Sequence, residues 1–168
     1  MNSGKEIFEI VDEGGKVIGT APREECHRNP DLIHRAVHVM VLDGEGRIYL
    51  QKRAGNKDIQ PGRWDSSVGG HLIPGEEYAA AAEREMLEEL NIKGTPRFLY
   101  RYRWSTEKET EMVETYLLVT GSEPKIDPGE IEEGRFFSAA EIREMIGSGL
   151  LTPNFEEEFR RLGVAGLL

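Results

Sequence analysis

Glu76, Glu77, Glu83, Glu85, Glu88 and Glu89, with Arg84 among them, fall within the 23 residues Gly70 to Ile92, GHLIPGEEYAAAAEREMLEELNI. The alanine run favours helix. At about 100° per residue, Glu85, Glu88 and Glu89 stand at i, i+3 and i+4 and share one helix face. Like charges so placed repel by a few tenths of a kcal/mol per pair. Arg84 alone cannot neutralise three carboxylates. A hard divalent cation with oxygen ligands can, and Mg²⁺ suits this arrangement when substrate phosphate oxygens complete its shell.

That donor set points to phosphoanhydride chemistry. A diphosphate resists water because its negative charges repel the nucleophile. Mg²⁺ or Mn²⁺ draws charge from the phosphoryl oxygens and makes a water more acidic, and carboxylates are the ligands suited to such ions. A carboxylate left partly free can take the proton of the attacking water. Gly69-Gly70, just before the helix, permits close approach of a ligand to the main chain.

The rest of the chain must position these groups. Residues 6–12 and 16–20 alternate apolar and polar around Glu13-Gly14-Gly15 and predict a β-hairpin. A short helical segment is expected over Pro22 to His27. Arg35 to Leu42 predicts a strand with Val37, Val39 and Val41 on one face and Ala36, His38 and Met40 on the other. The turn Asp43 to Gly46 should return Arg47 to Lys52 as its partner. A polar loop over 54–63 and a strand over 64–68 precede the acidic helix, expected at 77–90. Strands follow over 97–104 and 112–120, then a short one over 134–137. Ser138 and Glu141 form a capping box for the helix AAEIREM, and a last helix spans 153–162. Strands around one central helix, with helices at the end, predict an α+β or α/β fold on a mixed sheet.

With 168 residues, one domain over 1–168 is expected. The net charge of −10 disfavours nucleic acid as partner. No apolar run approaches the ~20 residues that span a bilayer, so no membrane partner is expected. The N-terminus has no secretory pattern, and the single cysteine, Cys26, fits a cytoplasmic protein. Its thiol is expected to be a spectator. Trp64, Tyr100, Tyr102 and Trp104 are candidates for stacking on a base. Arg53, Lys57 and Arg63 are candidates for meeting outer phosphates.

The spacing of Gly70, Glu76, Arg84, Glu85, Met86, Glu88, Glu89 and Ile92 resembles the Nudix box. Asn91 stands where that family has glycine, and asparagine tolerates the left-handed backbone wanted at a helix end. The resemblance implies an αβα sandwich with a central mixed sheet and an N-terminal hairpin at about 5–21. It implies a Mg²⁺- or Mn²⁺-dependent hydrolase of a nucleoside diphosphate linked to another moiety, and, as for many members, a possible homodimer. Glu88 and Glu89 would be the principal ligands, and Glu85 a ligand or the general base. The Gly69 carbonyl would be a further ligand, Glu76 would join through water, and Arg84 would hold the glutamates. An outside carboxylate, Glu114 or else Glu130 or Glu132, would complete the site.

Beyond the box, residues 26–27, 32–36, 50–53, 57, 61–62 and 64 resemble isopentenyl-diphosphate isomerase, itself of Nudix fold. His27, His34 and His71 match three histidines that hold a separate metal there. One of that enzyme's two extra glutamates aligns with Glu114 and the other falls on Met112. Its protonating cysteine falls on Gly69, so the isomerase-like branch of Nudix hydrolases is the better match. A non-catalytic sensing module usually loses box carboxylates, and this chain keeps all four.

Overall fold

The computed structural model describes residues 6–55 and 60–168. Strands β1 (Ile7–Val11) and β2 (Val17–Pro22) form the expected N-terminal hairpin, and α1 (Arg23–Cys26) is a single turn. The long strand β3 (Ile33–Leu42) is the axis of the sheet. Its buried residues divide as their alternation requires. Val37, Val39 and Val41 pack toward one helix, while Met40 and Leu42 pack toward the C-terminal helices.

The helix facing the three valines is α2 (Tyr78–Leu90). Tyr78, Ala81, Ala82, Met86 and Leu90 make its buried stripe against the three valines of β3. Burying such a stripe, worth about 25 cal/mol per Å² of apolar area, fixes the rotation of the helix and hence of its glutamates. Asn91 ends it in the left-handed conformation, φ 55° and ψ 35°, as its place in the box predicts. On the opposite face lie α3 (Ala139–Met145) and α4 (Pro153–Val164), with Phe155, Phe159 and Leu162 against Ile48 and Leu50. The capping box of Ser138 and Glu141 is present. No helix among the described residues is long and apolar enough to cross a membrane.

One expected pairing is replaced. β4 (Ile48–Arg53) meets β3 only at Leu42↔Ile48. The edge of β3 it would have used, residues 36–39, belongs to β6 (Val68–His71). β4 therefore diverges and pairs with β5 (Trp64–Asp65) and with β9 (Ile131–Phe137). Along the other edge of β3 runs β8 (Thr110–Val119), parallel over ten residue pairs, with β7 (Arg97–Ser105) antiparallel outside it.

Candidate active site

Glu85 lies directly over the main chain of β6. A Cβ at Gly70 would stand 2.5 and 2.6 Å from its two carboxylate oxygens, so only glycine admits the carboxylate there. Arg84 gathers the acidic groups from the side. Its Nε and Nη2 donate to Glu76 at 2.8 and 2.9 Å, its Nη1 donates to Glu85 at 2.8 Å and Glu88 at 3.3 Å, and its Nη2 also reaches the His71 carbonyl at 3.1 Å. This fork holds the Glu76 carboxyl below its ordinary pKa. Glu76 is thus bound to Arg84 directly, where a water-mediated link was expected, and it accepts from the Ile73 amide at 3.0 Å. The hairpin straps this loop in turn, through Glu9, which accepts from Arg35 at 2.7 Å and from the Gly75 amide.

Glu89 faces inward between β4 and β6. It accepts from Gln51 Nε2 at 2.8 Å, and its Oε1 lies 3.5 Å from the Gly69 amide. Burial lifts its pKa well above the carboxylate range; the Gln51 hydrogen bond opposes this and the neighbouring Glu85 adds to it. Two carboxylates in mutual repulsion form the arrangement a divalent cation relieves. Glu88 is more open, its side chain 58% exposed. The three box glutamates and Gly69-Gly70 therefore fit a hard divalent cation by donor chemistry and by charge, with Arg84 holding Glu76 and Glu85 in place.

A second cluster lies on the other face of β6. Residues 69 and 71 point opposite to residue 70, and His71 joins His34 of β3 and His27 of α1. Their nearest nitrogens all lie within 4.8 Å of one another. The parallel register of β3 and β8 places Glu111 beside His34, 3.6 Å from it and 3.3 Å from His71. Glu109 lies 3.2 Å from His27 and 3.9 Å from His34. Several of these atoms are sealed from solvent without a hydrogen bond, namely His27 Nε2, both His34 nitrogens and Glu109 Oε2. Unmade hydrogen bonds at buried polar atoms are costly, and an imidazole and carboxylate set of this kind suits a transition-metal ion. Burial, with His71 and His34 as neighbours, pushes His27 down to about 4. Burial and Glu111 push Glu109 up to about 7. Burial acts on Glu111 in the same direction, but His34 and His71 outweigh it and hold that carboxyl well below its ordinary range.

The structure places other carboxylates beside the histidines than the resemblance implied. They are Glu109 and Glu111, not Glu114 and position 112. Met112 is buried with Val11 and Ile33, and Glu114 sits among Arg101 at 3.3 Å and Tyr116 at 3.4 Å. The pair beside the histidines lies three residues earlier than positions 112 and 114. The signal was present as two acidic residues two apart at the start of a strand.

The remaining expected groups fall as follows. Cys26 is fully buried and burial lifts its thiol to about 11, which leaves it inert. Tyr102 is buried and Tyr100 is partly covered, and their hydroxyls bond Asn154 at 2.8 Å and Glu158 at 2.7 Å. Trp64 meets Phe137 edge-on. Trp64 and Tyr100 pack against the core cluster under α3 and α4, and Tyr102 packs with Ala36 and Val113. Arg53 reaches Asp65 at 3.4 Å and Arg63 the Leu151 carbonyl at 3.4 Å, while Lys57 lies outside the described residues. Glu130 and Glu132 are exposed near the start of β9.

A family model described as the NUDIX domain matches residues 32–155. The chain belongs to the Nudix family. An isopentenyl-diphosphate Delta-isomerase of Streptomyces griseus is 38% identical over 145 residues, which is 82% of this chain and 74% of that protein. A Nudix hydrolase of Streptomyces coelicolor is 34% identical over 174 residues, 96% of this chain and 91% of the other. Among solved structures, DR0079 from Deinococcus radiodurans superposes with a TM-score of 0.78 at 25% identity, covering 93% of this chain and 98% of that one. The MutT protein of Methanosarcina mazei gives 0.71 at 21% identity, covering 82% and 96%, and shows the same fold. The mixed α+β Nudix architecture is the one expected. As a Nudix pyrophosphohydrolase the protein acts on small, diphosphate-containing substrates, and enzymes of this family generally use divalent metals.

Proposed function

We propose that the chain hydrolyses the diphosphate bond of a nucleoside diphosphate linked to another moiety, with Mg²⁺ or Mn²⁺. The observation that carries this reading is the convergence of Glu85 and Glu89 on the backbone of Gly69 and Gly70, with the Arg84 guanidinium bonded to Glu76, Glu85 and Glu88. Glu85, Glu88 and Glu89, with the Gly69 carbonyl, would hold the cation. When bound, it withdraws charge from the phosphoryl oxygens and acidifies a water. Arg84 keeps Glu85 and Glu76 in place. Glu85, fixed over Gly70, takes the water's proton. A phosphorus–oxygen bond forms from the water as the bridging phosphorus–oxygen bond breaks, and each product keeps one phosphate. Glu114, committed to Arg101 and Tyr116, is a weaker candidate for an outer ligand.

We further take residues 1–168 as one domain working in a reducing cytoplasm, with a homodimer as the oligomeric state to test by light scattering. The cluster of His27, His34, His71, Glu109 and Glu111 favours a second reading, an isomerase of isopentenyl diphosphate. Gly69 stands against it, because no thiol is present to protonate the alkene. The deciding experiment is product release across a panel of nucleoside diphosphate derivatives and isopentenyl diphosphate, with Mg²⁺ and with EDTA. Metal-dependent cleavage of a nucleotide supports the hydrolase. Isomerisation of isopentenyl diphosphate without hydrolysis of any compound would overturn it.

A further inference from the structure

His38 is the one histidine outside the metal-type cluster, and its surroundings are built. Its Nδ1 lies 2.9 Å from Glu158 Oε2. Glu158, on α4, is fully buried, and its two oxygens also accept from Thr115 Oγ1 at 2.9 and 3.1 Å and from Tyr100 at 2.7 Å. The Glu158 oxygens accept from both hydroxyls, and with Nδ1 as the donor to the same carboxyl group the ring orientation is fixed. The other ring nitrogen is free. Nε2 has no hydrogen-bond partner among the described residues, yet it is not one of the sealed polar atoms, while the residue as a whole is only 8% exposed.

That open edge faces Gly69. A Cβ at Gly69 would meet His38 Cδ2 at 3.3 Å and Nε2 at 3.6 Å. The imidazole thus occupies the space beside the main chain that a side chain at 69 would need. The amide of the same glycine lies near Glu89, so one residue separates the ring from the box carboxylates. Two donors, a buried carboxylate and a helix from the far end of the chain hold one imidazole, with its second nitrogen unmatched among the described residues. Buried polar side-chain atoms mostly have a hydrogen-bond partner, and Nε2 is left without one among the described residues.

We propose that His38 is a substrate-contacting residue whose Nε2 bonds a phosphoryl oxygen of the diphosphate beside Gly69, with Glu158 as its positioning residue. This rests on the hydrolase reading above, and it adds a contact from the sheet face opposite to α2. A hydrogen bond to a charged oxygen contributes about 1.5–3 kcal/mol, which is on the order of tenfold to a hundredfold in affinity.

The test uses full-length protein labelled with ¹⁵N in its histidine rings and Mg²⁺ with methylenediphosphonate, a diphosphate that cannot be hydrolysed. Calorimetry first measures binding of this probe. His38→Gln assigns the His38 resonances. Binding should move the His38 Nε2 resonance far more than its Nδ1 resonance. His38→Gln should weaken binding about tenfold or more and raise KM more than it lowers kcat. Glu158→Gln should weaken binding severalfold through a loosened ring, with the Nε2 shift on binding reduced. Binding with unchanged Nε2, or with wild-type affinity in a folded His38→Gln variant, would overturn the proposal while leaving the hydrolase intact. No binding of the probe to the wild type would overturn the proposal, while the product-release panel decides the hydrolase reading separately.

Discussion

Replacing Gly70 by alanine tests whether the place of Glu85 matters to the chemistry. The new methyl would stand 2.5 and 2.6 Å from the Glu85 oxygens, against ordinary contact beginning at 3.4 Å. The carboxylate must therefore withdraw by about 1 Å, a misplacement that costs on the order of 10²-fold in rate when geometry is critical. The fold should tolerate the change. Gly70 is not among the residues with positive φ, and alanine in a strand gains roughly 0.5–1 kcal/mol over glycine. Against that stands a weakened Arg84–Glu85 pair, 2.8 Å apart and largely shielded, worth about 0.2–1 kcal/mol for a pair near the surface. The terms nearly cancel, so Tm should stay within about 2–4 °C. The assay is steady-state hydrolysis beside thermal melting, with Glu85→Ala and the double variant completing a cycle. Strong non-additivity is expected, since both changes remove one group. Wild-type kcat in Gly70→Ala would refute the reasoning. So would a fall in Tm of ten degrees or more, which would make the close contact structural rather than catalytic.

Glu88→Gln and Glu89→Gln should each lower turnover by orders of magnitude with the fold retained, whereas His27→Ala and His71→Ala should do less damage; equal losses in rate assays would favour the isomerase reading. Without metal, the raised pKa of Glu109 gives a stability contribution fully present below about pH 4.5 and lost as pH rises through about 7. The depressed His27 acts oppositely, its contribution being present above about pH 6.5 and lost as pH falls through about 4. Glu109→Gln should therefore raise Tm relative to wild type at pH 8 and not at pH 4, a difference read by melting curves in EDTA. Gly69→Cys alone should not yield isopentenyl-diphosphate isomerisation, because the His38 ring lies 3.3 Å from the new Cβ; activity in that single variant would show that the ring moves aside freely.

The acidic helix, its end at Asn91, the hairpin and the capping box at Ser138 were legible in the sequence because each is set by local spacing. Helical periodicity alone puts Glu85, Glu88 and Glu89 on one face, and a fixed motif length identifies Arg84 and Gly70. The three histidines were matched by motif order, but the two glutamates facing them were not, since they depend on the register of β3 against β8. The partner of β4 was likewise a competition for one strand edge, which no local signal records. His38 and Glu158 lie 120 residues apart in sequence and 2.9 Å apart in space. Sequence fixes what repeats over a few residues, through backbone geometry and side-chain period; only packing of the two helix layers on opposite faces of the sheet decides which distant side chains share a buried volume.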